Sequence, residues 1–444
     1  MSTARWLQPR GRTPLLGTPA ATSEPPRVTT LEDPVASSQS AWVQVLLLSL
    51  LLPTEFSVYL GSLRLSPHRI VILAAFFPCL LGWLRGEAGK LRVFDIALIA
   101  HCLWAVLSYL VRDGVAKAIE SGGIYCVEAL GAYMIGRVHV RSFADYLKLA
   151  RTLVTAVLVL ALITLPEAVT HTHFIHDVAG GILGNRPPTN MEPRLGLARA
   201  YGPFDHPILY GTFCALAISM AWNLAKSSPT ATVSRIARLA GVGAATFVSL
   251  SSACMLAAAM QVGLLGYEKA TRRISGRWWL LAGLGALAYA TVSLISNRSG
   301  LKALVWYLTL DRHTASYRIA IWEYASDNIA AQPLFGPGME HWVRPSWMAK
   351  SVDSYWLVLS LSYGLPAALM LAFCVISAGV MVGRARPTDP HSRAMRQSWL
   401  ILFIALAMVG FTVHFWNHVM ILFFFLIGAG AFWTNSNTRT EEAV

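Results

Sequence analysis

The sequence predicts an all-α, polytopic integral membrane protein with about twelve transmembrane helices and two large loops on the non-cytoplasmic face. Hydrophobic residues occupy 55% of its 444 positions and charged residues only 13%, whereas a soluble domain carries about 25% charged residues. The apolar residues are concentrated in runs of roughly twenty, which is the length that a helix needs to cross a bilayer. Because lipid offers no partner for open backbone groups, each run is predicted to be helical.

Twelve apolar segments carry this prediction, and hydrophilic tails flank them. The segments are about 41–60, 69–84, 93–111, 119–136, 143–165, 205–225, 236–250, 253–268, 278–296, 354–382, 397–414 and 418–434. Residues 1–40 are rich in Pro, Ser, Thr and Arg, which predicts a disordered cytoplasmic tail rather than a signal peptide. Residues 435–444 form a second predicted cytoplasmic tail, so the transmembrane domain is 41–434. Its two large outer loops span about 166–204 and 297–353.

The basic residues predict the direction of the helices. An even number of spans places both termini on one side, and Lys and Arg are enriched in cytoplasmic turns. With the N-terminus inside, most of the 36 Lys and Arg residues fall in cytoplasmic segments, whereas the short outer turns hold only Arg64, Arg69, Arg112 and Lys117. The formal charge of +13 therefore reflects membrane topology and does not indicate binding to nucleic acid.

The first outer loop ends in a dense run of polar and turn-forming residues, RLGLARAYGPFDHP. Pro207 suits the first turn of the following helix, with Asp205 or His206 near the helix cap. Arg194 and Arg199 have two interpretations. They are either interfacial arginines or part of an anion site, because guanidinium groups bind phosphate oxygens in a planar, bidentate manner.

The second outer loop combines an arginine and a tryptophan at a spacing of four with a turn rich in Pro and Gly. Arg318 and Trp322 are four residues apart, so on a helix they share one face. The QPLFGPG stretch that follows cannot be a regular helix and predicts a re-entrant turn over the membrane surface. Asp353 precedes the next apolar segment, either as the cap of a helix that starts near Ser354 or as a functional carboxylate.

No metal site or cofactor is predicted. The six cysteines all lie in apolar stretches without a CxxC pair, which indicates small buried side chains rather than zinc ligands or a disulfide scaffold. His171, His173, His176 and Asp177 have a spacing that could bind a metal. A polar loop over the membrane is the simpler interpretation of these four residues.

In order and spacing, three stretches resemble the superfamily of O-antigen ligases and Wzy-type polysaccharide polymerases. They are the Arg…Gly-Pro-Phe-Asp-His-Pro stretch that ends at Pro207, the Arg318-x-x-x-Trp322 pair followed by Pro333-x-x-Gly336-x-Gly338, and Asp353-Ser-Tyr followed by Tyr363-Gly364-Leu. The resemblance covers about 160–380. It implies a GT-C-like membrane fold whose two large loops are periplasmic.

The resemblance also implies a metal-independent glycosyltransferase, without a cofactor, in the cytoplasmic (inner) membrane. Its donor would be a glycan on undecaprenyl diphosphate, and its acceptor a hydroxyl of another lipid-linked repeat unit. Membrane lipids, a chain-length regulator and a flippase are the further implied partners. Ligases of this family have a histidine where Asp353 stands, which favours a polymerase of repeat units. An O-antigen ligase and a membrane transporter are the alternatives.

The reaction implied by the resemblance assigns roles to five residues. Arginines can stabilise the developing charge of a diphosphate leaving group without a metal, because they stay charged at any working pH. We therefore expect Arg199, Arg318 and Arg194 to bind the diphosphate. An acceptor hydroxyl benefits from a base within hydrogen-bonding distance; Asp353 is the first candidate and His206 the second. His206 could instead be a turn or cap histidine.

Overall fold

The computed structural model of the chain describes residues 41–61, 63–183, 191–225, 231–295 and 312–434. The two predicted tails lie outside these residues. The middle of the first outer loop and the beginning of the second loop lie outside them as well.

In this part of the chain, fourteen α-helices have nine or more residues. They are α1 (Ala41–Ser49), α2 (Pro67–Leu84), α3 (Val93–Asp113), α4 (Gly123–His139), α5 (Phe143–Thr170), α6 (Phe174–Leu183), α7 (Pro207–Asn223), α8 (Ala231–Phe247), α9 (Ser252–Ala270), α10 (Arg277–Ile295), α11 (Arg312–Ala331), α12 (Tyr355–Arg384), α13 (Pro390–Val409) and α14 (Asn417–Gly430). Shorter helical turns lie at Thr54–Phe56, Val115–Lys117, Ala118–Gly122 and Ala431–Thr434. The strands β1 (Val58–Leu60) and β2 (Leu63–Leu65) form an antiparallel pair with Tyr59 opposite Arg64. The all-α prediction is confirmed.

Six of the described helices are long and apolar enough to cross a membrane: α2, α3, α5, α12, α13 and α14 with its C-terminal turn. They are consistent with a multi-pass membrane protein, but they do not confirm the predicted count of twelve spans. Each of the other six predicted segments also contains a helix. Among these, α1 has 9 residues and α4, α7 and α8 have 17 each. Seventeen residues extend about 25 Å, less than a hydrocarbon core of about 30 Å.

Both outer loops contain helices that the hydropathy pattern did not predict. Helix α5 continues to Thr170, and α6 follows it within the first loop. Helix α11 lies in the second loop and carries both Arg318 and Trp322, so their spacing of four residues places them on one face of it. The indole N–H of Trp322 donates to the carbonyl of Phe411 at 3.3 Å, which ties α11 to the segment after α13.

Helix α12 is interrupted at Gly364, and the predicted Pro/Gly-rich turn fills the interruption. Gly364 has φ +83°, a conformation that L-residues rarely adopt. The backbone N–H of Leu365 donates to the carbonyl of Pro333 at 2.8 Å, and that of Gly338 donates to the carbonyl of Leu361 at 2.8 Å. The turn thus pairs backbone groups that the helix leaves open, as non-helical backbone inside a candidate membrane span requires.

Two side chains of α3 hold this turn against α12. Arg112 Nη1 donates to the carbonyl of Ser362 at 2.7 Å and to that of Phe335 at 3.2 Å. The indole N–H of Trp104 donates to the carbonyl of Tyr363 at 3.1 Å. Helix α3 therefore contacts both the turn and the interruption, and fixes the direction of the N-terminal half of α12.

We predict that Gly364→Ala destabilises the protein by about 2 kcal/mol or more, from the left-handed conformation and a steric overlap. An added Cβ would overlap the carbonyl of Leu334. Gly379→Ala in the same helix is the matched control, because nothing lies within 4 Å of a Cβ there and alanine favours a helix. Thermal unfolding of both variants in lipid nanodiscs tests this. Equal melting temperatures for the two variants would contradict the prediction.

Candidate functional site

A cavity of about 380 Å³ lies where α7, α9 and α12 begin. All five residues predicted to form the site line it: Arg194, Arg199, His206, Arg318 and Asp353. The other lining residues are Ile208, Ser251, Ser252, Ser351, Val352, Val413, His414 and Trp416. The fold therefore brings together side chains that are up to 222 positions apart in the sequence, the interval between Arg194 and Trp416.

The extended segment before α7 positions the first two arginines. Arg194 pairs with Leu197 through two backbone hydrogen bonds of 3.0 Å. Arg194 Nη1 donates to the carbonyl of Leu250 at 3.1 Å, and Arg199 Nε donates to that of Ser249 at 3.4 Å. Both side chains therefore cap the turn between α8 and α9. Each makes one hydrogen bond to the described residues, although a guanidinium group has five N–H donors.

Arg318 is 7% exposed and reaches the cavity from α11. Its Nε lies 4.0 Å from Asp353 Oδ2 and has no hydrogen-bond partner among the described residues. Burial lowers the pKa of Arg318, and the attraction of Asp353 opposes this change. A buried cation with an unsatisfied donor is costly in the free protein. It is therefore a favourable position for an anionic ligand.

The described lining of the cavity is strongly positive, with three guanidinium groups and one carboxylate. Burial lowers the pKa of Arg199 to about 10, and repulsion from Arg194 and Arg318 adds to the effect. The first turns of α7, α9 and α12 also direct backbone N–H groups toward this end of the helices. Side chains and helix ends together thus favour the binding of a negatively charged group.

Asp353 is not the cap of α12, so that interpretation of the sequence is wrong. The N-cap is Ser354, whose hydroxyl accepts from the backbone N–H of Leu357 at 3.4 Å. The Asp353 side chain is 42% exposed and lines the cavity. Desolvation by the cavity walls raises the pKa of Asp353, and the attraction of Arg318 opposes this. The carboxylate thus faces the cavity beside Arg318, where a ligand can reach it.

His206 is the N-cap of α7, as one of the two interpretations predicted. Its Nδ1 accepts from the backbone N–H of Ile208 at 3.1 Å. Burial lowers the pKa of His206 to about 4, and repulsion from Arg199 and Arg194 contributes. The ring is therefore neutral at pH 7, and the cap assigns its proton to Nε2. This geometry suits a hydrogen-bond donor and favours Asp353 over His206 as the base.

Asp205, the neighbour of His206 in the motif, has a structural role. Its carboxylate accepts from the hydroxyl of Thr54, and its Oδ2 accepts from Asn417 Nδ2 at 2.6 Å. It thereby joins the turn at Thr54–Phe56 and the start of α14 to the segment before α7. Asp205 thus helps to hold the wall of the cavity without lining it.

The sequence did not predict that Trp416 and His414 form an aromatic part of the cavity lining. The ring of Trp416 lies 5.9 Å from that of His206 and 5.4 Å from that of His414. Burial lowers the pKa of His414 to about 4, so its ring is neutral at pH 7. Both residues lie between α13 and α14, far from the three motif stretches. No local pattern links this connection to the arginines.

In the first predicted outer loop, His176 has protein partners at both ring nitrogens. His176 bonds to the Glu55 carboxylate, and its Nε2 lies 3.1 Å from the carbonyl of Phe204. His171 ends α5 in a left-handed conformation. Within the described ranges, no group of three or more His, Cys, Asp or Glu residues is arranged to hold a metal ion.

No protein-family model matches the chain, and no curated protein matches it significantly. The resemblance to O-antigen ligases and Wzy-type polymerases therefore stays a prediction.

Proposed function

We propose that the chain is a membrane glycosyltransferase that polymerises undecaprenyl-diphosphate-linked oligosaccharide repeat units into surface polysaccharide on the periplasmic face of the inner membrane. One observation carries the proposal. Arg318 is buried, its Nε has no hydrogen-bond partner among the described residues and lies 4.0 Å from Asp353, and two further arginines line the same cavity. This arrangement supplies an anion site and a carboxylate within reach of the same ligand.

The charge and size of the cavity support a lipid diphosphate as the donor. Three guanidinium groups and one carboxylate leave an excess of positive charge that a diphosphate can neutralise. Guanidinium forks match phosphate oxygens and stay charged without a metal. A volume of about 380 Å³ lies within the range of ligand sites in proteins. It can hold a diphosphate and the sugar attached to it.

The rings of Trp416 and His414 support a sugar next to the diphosphate. Aromatic rings offer apolar faces for the C–H groups of a pyranose, and Trp416 also has an N–H donor. Ser351 and Ser252 line the same cavity and add polar groups. A cavity with both a cationic and an aromatic lining thus fits a sugar diphosphate better than it fits an inorganic anion.

The proposed reaction uses Asp353 as the base. The acceptor hydroxyl gives its proton to the Asp353 carboxylate while its oxygen attacks the anomeric carbon of the donor sugar. The bond between this carbon and the diphosphate oxygen breaks, and undecaprenyl diphosphate leaves with the electron pair. Arg318, Arg199 and Arg194 stabilise the charge that develops on the leaving oxygen. Asp353 later releases its proton to water.

Glycan analysis of a deletion strain tests the proposal. We expect single repeat units on the lipid acceptor, and restoration of polymer by a plasmid copy of the wild-type gene. Free lipid-linked polymer would instead indicate an O-antigen ligase, which uses the same class of donor. An unchanged glycan would contradict both enzymes and leave a transporter as the alternative.

A further inference from the structure

A second cavity, of about 790 Å³, lies where α12 ends and α13 begins. Four arginines line it: Arg384, Arg386, Arg393 and Arg396. No acidic residue is part of this lining. Because Asp353 precedes the first residue of α12 and Arg384 is its last residue, this cavity and the candidate site lie at opposite ends of the same helix.

Arg396 forms the fixed part of this cavity. Its Nη1 donates to the carbonyls of Val382 at 3.1 Å, Gly383 at 2.6 Å and Ala385 at 2.7 Å. These carbonyls lie at the C-terminus of α12, where a cation is favourable. Arg396 therefore ties the start of α13 to the end of α12, and holds the cavity between the two helices.

The other three arginines have no such partner. Arg384, Arg386 and Arg393 are exposed, and none has an ion pair within the described residues. Asp389 lies in the same connection, but its carboxylate accepts from the backbone N–H of Ser392 at 2.7 Å as the N-cap of α13. Three uncompensated guanidinium groups around one cavity repel one another, and an anion would relieve this repulsion.

The cavity lies where a phospholipid headgroup could supply the anion. It lies at the ends of α12 and α13, which are both candidate membrane spans, where phospholipid headgroups meet a membrane protein. The basic residues also predict that this end faces the cytoplasm, whose leaflet carries anionic lipids. We propose that the cavity binds the phosphate of an anionic phospholipid headgroup, through Arg384, Arg386 and Arg393. This inference does not depend on the proposed glycosyltransferase activity.

Native mass spectrometry of the full chain, released from nanodiscs of phosphatidylglycerol and phosphatidylcholine, tests the inference. The wild type should retain phosphatidylglycerol preferentially. Arg384→Gln/Arg386→Gln/Arg393→Gln should lower this preference by about tenfold or more. The matched control is Lys269→Gln/Arg272→Gln/Arg273→Gln. It removes the same charge from exposed positions in the last turn of α9 and just after it, at the same end of the helices, and should retain the wild-type preference.

Three results would overturn the inference. The first is equal retention of phosphatidylglycerol by the wild type and the cavity variant. The second is an equal loss in both triple variants, which would indicate a general charge effect. The third is complete displacement of phosphatidylglycerol by an equal concentration of inorganic phosphate, which would identify a free anion as the ligand. If the triple variant fails to fold, the single variants Arg386→Gln and Arg393→Gln should each reduce the retention of phosphatidylglycerol. Retention at the wild-type level in both single variants would also overturn the inference.

Discussion

Arg318→Gln is expected to reduce polymer formation by about a hundredfold or more while the abundance of the protein in the membrane stays unchanged. Loss of one preorganised donor to a developing oxyanion typically costs about a hundredfold to a thousandfold in rate. Arg318 is the most buried of the three arginines, and its Nε has no hydrogen-bond partner within the described part of the chain. A ligand that accepts a hydrogen bond from this Nε would therefore be strongly stabilised. Polymer length on a glycan gel, with protein abundance measured by immunoblot, provides the test.

Arg318→Gln is expected to keep or raise the stability of the protein, although it lowers the activity. A buried charge with incomplete partners costs free energy, and a neutral side chain of similar shape removes that cost. The melting temperature should therefore stay constant or rise while activity is lost. A residue that only supported the fold would lose both together, so the two measurements separate the interpretations.

Arg344→Gln is the matched control in the same outer loop. Arg344 Nε donates to the carbonyl of Met348 at 3.0 Å, and the side chain does not line the cavity. This variant should produce polymer of wild-type length. If Arg318→Gln also produces polymer of wild-type length, Arg318 does not bind the diphosphate.

The sequence could predict the features that depend on local patterns. Each apolar segment contains a helix because the length of an apolar run is a local property. Pro207 correctly indicated the start of α7, since proline favours the first helical turn, and the structure then placed the cap at His206. The number of membrane crossings depends on the tilt and depth of helices that have only 9 to 17 residues. The length of an apolar run does not determine this tilt or depth.

Features that depend on distant contacts could not be predicted in the same way. The apolar run of α12 reads as one helix, and its interruption at Gly364 arises from carbonyls and N–H groups about thirty positions earlier in the chain. Trp416 reaches the cavity only because α13 and α14 pack beside α7. Asp353 and Ser354 are both good caps, so the sequence could not decide which of the two neighbours takes that role.

The assignment of the cap to Ser354 makes Asp353→Asn a sharp test of the base. Asparagine keeps the shape of aspartate and caps helices equally well, but it cannot accept a proton from an acceptor hydroxyl. Asp353→Asn should therefore produce no polymer while its melting temperature matches the wild type. The measurement is polymer formation in proteoliposomes with a lipid-linked repeat unit. Polymer of wild-type amount would contradict the role of Asp353 as the base.

Ser354→Ala should show the reverse behaviour. It removes the hydroxyl that accepts from Leu357 and donates to the carbonyl of Gly410, at a cost of about 1 kcal/mol in stability. The Asp353 carboxylate is retained, so polymer should still form at temperatures where the protein stays folded. Loss of activity in both variants with equal loss of stability would mean that this segment matters only for the fold.

The pH profile of polymerisation follows from the same carboxylate. A base must be deprotonated to act, so the rate should fall as the pH falls through the pKa of Asp353. Burial raises that pKa, so the acid limb should lie above the usual value of about 3.9 for aspartate. Arg318 attracts the carboxylate and holds the pKa down. For the residual activity of Arg318→Gln, the fall in rate at acid pH should therefore occur at a higher pH than in the wild type. If it occurs at the same pH in both, Asp353 is not the titrating base.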